Sequence, residues 1–121
     1  MISREQVEEM FENMRTRSSW DVNGVLLWGY FFTAKETTCL ERASEYLAGD
    51  GYRCMPLYKA IDGATIVLHV ERTESHTPET LHLRNCELES LAREFGLDSY
   101  DGMDVGLAVP REDSVGPEER T

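Results

Sequence analysis

Two rhythms organise the apolar positions of this 121-residue chain, one near 3.6 residues and one of two. Val7, Met10, Phe11 and Met14 recur at helical spacing behind Ser3, a good N-cap, with Gln6 three residues on, as in a capping box. The spacing predicts an amphipathic helix over 4–16. The polar loop TRSSWDVNG follows, with Trp20 embedded in it. Residues 25–32 then read VLLWGYFF, whose aromatic and β-branched content predicts a buried strand over 25–33. On a strand this stretch is apolar on both faces: Leu26, Trp28, Tyr30 and Phe32 on one, and Val25, Leu27, Gly29 and Phe31 on the other.

A second helix is capped by Thr37 or Thr38 and runs to about Ala48, with Leu40, Ala43 and Leu47 as its stripe, Tyr46 beside them, and Gly49 and Gly51 as stop signals. The next strand, Tyr52 to about Ile61, contains Pro56 and belongs at a sheet edge, because proline cannot donate to a ladder. Asp62-Gly63 is a hairpin signal. The returning strand, 64–72, alternates: Ile66, Leu68 and Val70 face one way, and Thr65, Val67, His69 and Glu71 the other. Thr77 and Pro78 mark a helix start. Its periodic part is Leu88, Leu91, Ala92 and Phe95, with Leu81 a heptad earlier and Gly96 at the end. Leu83 falls off that stripe, so residues 79–85 read as irregular or as preceding a helix that begins near Asn85. A short strand over 103–109 and a mobile tail over 110–121 complete the pattern.

After the first helix the order is strand, helix, strand, strand, helix, strand. That order predicts an α+β domain of ferredoxin-like split βαββαβ type over 19–109, preceded by the helix within 1–18. The right-handed crossover rule makes 25–33 and 64–72 the central pair, expected here to be parallel, with both later helices on one face. Gly29 would let a helix approach closely. The expectation is therefore that Leu27, Gly29 and Phe31 face the helices, and that Trp28, Tyr30 and Phe32 lie on the open face beside Val67 and His69. An exposed patch of that size marks a contact. Two covers are available: the helix at 4–16 folded back over it, or a partner peptide or second copy of the chain.

Charge narrows the partner. The formal net charge is −11, and Arg15 and Arg17, the nearest basic cluster, follow Glu5, Glu8, Glu9 and Glu12. Phosphate backbones attract basic surfaces, so direct nucleic-acid binding is not expected, whereas a protein with a basic segment is a suitable partner. The plainer use of such a surface is solubility. Cys39, Cys54 and Cys86, odd in number and widely spaced, argue for a reducing compartment. The acidic N-terminus does not resemble a signal peptide, and no segment reaches transmembrane length, so a cytoplasmic protein is expected.

Candidate chemistry is sparse. His76, His82 and Cys86 are a conceivable metal set, but structural zinc sites take four ligands, usually in tighter pairs. Cys86 with His82 lacks a third orienting group and an oxyanion hole. Gly49 and Gly51 follow a helix and precede a strand, the reverse of a phosphate loop. No enzyme, metal or cofactor is expected. SYDGMDVG (99–106) stands out: Asp101-Gly102 reads as a tight turn, with Tyr100, Asp101 and Asp104 presenting one aromatic and two acids at a sheet end.

LLWGYFF, the Leu40-to-Gly51 helix running into AGDGYRC, TIVLHVE, and above all LAREFGLDSYDGMDVG resemble the RraB-type inhibitors of ribonuclease E, over about residues 20–106. The resemblance implies a ferredoxin-like domain that binds ribonuclease E and lowers its RNA-cleaving activity by protein contact. The family often reads YDGW where this chain has Met103, and its better-known members carry a long acidic C-terminal tail where 110–121 here is short and mixed. The expected contact residues are Trp28, Tyr30 and His69 on the open sheet face, with Tyr100, Asp101 and Asp104 at its end. A small-molecule sensor using the aromatic patch is the alternative.

Overall fold

The computed structural model describes residues 2–107. The tail expected over 110–121 and the last two residues of the strand expected over 103–109 lie outside them. Helix α1 (Arg4–Arg17) begins at the foreseen capping box: the Ser3 hydroxyl accepts from the Gln6 amide, and the Gln6 side chain accepts from the Ser3 amide. It is followed by β1 (Leu26–Ala34), α2 (Thr37–Gly49), β2 (Arg53–Cys54), β3 (Tyr58–Lys59), β4 (Ile66–Glu74), α3 (Pro78–Glu94) and β5 (Ser99–Leu107). Glu36, without a side-chain cap, occupies the N-cap of α2 in place of Thr37 or Thr38.

Three departures have identifiable causes. The strand expected over 52–61 is broken into β2 and β3 around Pro56, although Met55 still donates to the His69 carbonyl at 2.9 Å. Helix α3 is continuous from Pro78, with Thr77 and Thr80 forming its capping box. Its stripe is Leu81, Asn85, Leu88 and Ala92, and the polar Asn85 hid the period from the sequence. The Tyr100 hydroxyl donates to Asn85 Oδ1 at 2.6 Å, which is how a polar residue sits on a buried stripe. Finally, Tyr100, Asp101 and Gly102 do not make a tight turn; they are the start of β5. Phe32 pairs with Tyr100 and Phe31 with Gly102, so Asp101 is the extra residue of a bulge. Gly102 takes a φ of 138°, which side-chain-bearing residues rarely adopt.

The strand order is β2-β4-β1-β5, with β3 also on β4, and every pairing is antiparallel. The central pair expected to be parallel is therefore antiparallel. The helical crossover returns the chain in its original direction, and the hairpin after it reverses that direction once. Pro56 does mark the edge segment. The three helices pack on one face of the sheet, in an α+β arrangement with the other face open.

The faces of β1 are opposite to expectation. Trp28, Tyr30 and Phe32 have no solvent exposure and sit in one core with Val7, Phe11, Leu40, Leu47, Leu81 and Leu88. Phe11 of α1 stacks on Trp28 with ring centroids 6.0 Å apart, so the first helix does cover the aromatics, from the helical side. Register decides this. Tyr30 pairs with Val70 and Phe32 with Leu68, and directly paired residues share a face, so the apolar row of β4 places the even residues of β1 beneath the helices. Leu27, Gly29, Phe31 and Thr33 fall on the open face.

Candidate functional site

On the open face, one residue without a side chain brings two chemically active ones together. The partners of Gly29 in the sheet are Asp104 on β5 and Glu71 on β4. A Cβ built on Gly29 would lie 2.7 Å from His69 Nε2 and closer still to Asp104 Oδ1. Gly29 thus makes room for a carboxylate and an imidazole leaning over the same backbone atom, and not for a helix. The His69 ring stacks on Phe31 at 4.4 Å between centroids and 9° between planes. His69 Nε2 is buried and has no hydrogen-bond partner. Asp104 is exposed.

The residues expected to form the contact surface separate into two groups. His69, Asp101 and Asp104 remain accessible: His69 is half-buried, and the two acids are exposed. Trp28 and Tyr30 lie in the core, and Tyr100, 6% exposed, points inward to Asn85. A partner on the open face meets Leu27, Phe31, His69 and Asp104 instead. Phe31 and Leu27 were legible as one of the two faces of β1; only the choice of face was inverted.

Gly29→Ala tests this geometry. The added methyl displaces the tips of two side chains and no backbone, so overpacking is offset by the better strand propensity of alanine, and the net stability change is within about 1 kcal/mol. The expected result is a near-unchanged urea midpoint with displaced His69 ring resonances. Unmoved ring signals would contradict the close approach.

A second cluster, missed in the sequence, lies under α3. Glu74, at the end of β4, accepts from the Tyr30 hydroxyl at 2.6 Å and from Arg84 Nη2 at 2.8 Å, and its Oε2 lies 2.8 Å from His76 Nε2. The His76 ring meets Trp28 edge-on at 5.3 Å, and its Nδ1 lies 3.0 Å from the Thr80 hydroxyl. Burial raises the Glu74 pKa, but the hydrogen bonds from His76, Arg84 and Tyr30 outweigh it and hold the carboxyl at about 2. Burial pushes the Tyr30 hydroxyl well above its ordinary value, so it is a fixed donor. The network joins β1, β4 and α3. Its residues are mutually satisfied, which suits a clamp better than a reaction centre.

His76, once grouped with His82 and Cys86, is held in that clamp, while His82 Nε2 lies 3.7 Å from Cys86 Sγ. Among the described residues no group of three or more His, Cys, Asp or Glu side chains is placed to hold a metal, and no helix is long and apolar enough to cross a membrane.

Comparison with protein families gives a match over most of the chain. The family model described as "Regulator of ribonuclease activity B" matches residues 4–105, from the first residue of α1 to within two residues of the end of β5. No curated protein matches the chain.

Proposed function

Because the chain belongs to the family of regulators of ribonuclease activity B, we propose that it is a non-catalytic regulator that lowers RNA decay by binding ribonuclease E, or another protein with a basic segment, through protein–protein contact. The match over 4–105 carries this reading, since it takes in all three helices and all of the sheet but the last two residues of β5. The net charge of −11 supports a basic protein partner and disfavours direct contact with RNA. A cytoplasmic setting accords with such a partner. The strand order β2-β4-β1-β5, with a helix between β1 and β2 and another between β4 and β5, supports reading the domain as ferredoxin-like with an added N-terminal helix. The contact surface is proposed to centre on His69, Asp101 and Asp104. The sensor alternative loses its binding patch, because Trp28 and Tyr30 are core residues.

The test is cleavage of a fluorescent RNA oligonucleotide by purified ribonuclease E in the presence of the chain. Cleavage should slow as the chain approaches stoichiometric amounts, and the chain alone should give no gel shift of the RNA. Unchanged cleavage together with no capture of the nuclease would overturn the reading.

A further inference from the structure

We propose that β5 is the docking edge for an extended, arginine-bearing segment of a partner protein, with one guanidinium held over Gly29 between Asp104 and His69. The inference rests on the protein-binding reading above and names the partner's chemistry.

The two edges of the sheet differ. On one side, β2 and β3 are two-residue fragments interrupted at Pro56, too short to template another strand. On the other, β5 runs for nine residues, pairs among the described residues only with β1, and contains no proline, lysine or arginine. Alternate amides and carbonyls of β5 face away from β1, and no strand among the described residues receives them. What guards this edge is a bulge at Asp101 and two exposed carboxylates, Asp101 and Asp104. Charge guards selectively: it repels an edge of the same sign and attracts one of opposite sign. A second copy pairing through β5 would bring Asp101 and Asp104 against the same acids, within a molecule already at −11. A basic strand meets no such penalty.

The open face supplies a receptor beside that edge. A residue directly opposite Asp104 on an added strand would project onto the same face, with its Cβ about 5 Å away. A guanidinium there reaches the Asp104 carboxylate, offers a proton to the unpartnered His69 Nε2, and lies against the stacked Phe31 and His69 rings. Arginine fits these three contacts better than lysine, because its donors form a planar fork. The competing acids of α1 are partly satisfied on the helical side, Glu8 by Arg4 at 3.2 Å and Glu12 by Arg15 at 3.3 Å.

The experiment titrates the full ¹⁵N-labelled chain with a synthetic peptide of alternating arginine and valine, and with the same peptide carrying glutamine for arginine. Saturable amide shifts are expected along Met103–Leu107 and at Gly29 and His69. The glutamine peptide and the Asp104→Arg variant should each bind about tenfold or more weakly, the scale of one lost charge-assisted pair. Gly29→Ala should weaken binding while leaving the circular dichroism spectrum intact. Shifts centred on α1, full affinity in Asp104→Arg, or a dimer by light scattering that occupies β5 with a second copy would each overturn the proposal. Ribonuclease E that is still inhibited by the Asp104→Arg variant would sink the edge and spare the regulator reading. A peptide landing on β5 with no effect on the nuclease would do the reverse.

Discussion

Glu74→Ala is expected to lower the unfolding free energy by about 3–5 kcal/mol at neutral pH, the range for removing one partner of a buried ion pair. The carboxylate is the common acceptor of Tyr30, His76 and Arg84, so its loss leaves the fully buried Tyr30 without its carboxylate acceptor and a mostly buried guanidinium short of countercharge. The pH dependence separates this account from simple loss of packing. The folded-state pKa of Glu74 is held at about 2, below its ordinary 4.5, so the unfolded chain binds the proton first. The stabilisation is complete above about pH 4.5 and is lost as pH falls toward 2. Urea unfolding of wild type and variant should therefore show a wide gap at pH 7 that closes across that window. A gap that stays constant down to pH 2.5, or one below about 1 kcal/mol at pH 7, would show that the network is ornamental.

Trp28→Ala should cost about 3–5 kcal/mol, as large-to-small replacements of buried aromatics do. Trp28 has no exposed surface, stacks on Phe11 and receives the edge of His76, so the cavity would open where α1 and β1 meet and the Glu74 clamp begins. Phe11→Ala should couple to it, because each substitution removes the other's partner. The measurement is the urea midpoint of both single variants and the double variant. Strictly additive losses, or a Trp28→Ala midpoint equal to wild type, would place the indole on the open face and reverse the assignment of sides.

How much could be read from residues alone depended on whether a signal was local. The capping box at Ser3 and Gln6, the Thr77-Pro78 start, the Asp62-Gly63 hairpin and the edge position of Pro56 are set by neighbours within four residues, and each is found where the chain predicts it. At Asp62 the cause is visible: the Thr65 hydroxyl and the Thr65 and Ala64 amides donate to its carboxylate and hold its pKa at about 2. Asn85 shows the opposite case. Its burial depends on a hydroxyl 15 residues away, so the helix looked irregular until Tyr100 was placed.

The site divides along the same line. His69, Asp101 and Asp104 are the expected contact residues that the structure leaves at the surface, His69 expected there from the alternation of 64–72 and the two acids from their place in SYDGMDVG. Trp28 and Tyr30 were placed on the wrong face because an all-apolar strand carries no mark of which side faces inward, and Tyr100 because SYDG reads as a turn whereas it belongs to β5 and its hydroxyl points to Asn85. The glycine that appeared to break the tie admits the tips of Asp104 and His69 and no helix.

By itself the sequence determined the element types, most of their starting points, the acidic surface and the family. The tertiary structure decided which face of β1 is buried, the antiparallel sense of the central pair, the bulge at Asp101, and the meeting of Glu74 with Arg84 and of Asp104 with His69. The physical reason is range: caps and turns are satisfied by adjacent backbone, whereas side and register are fixed only when strands distant in sequence pair, and a shift of one residue exchanges every inward side chain for an outward one.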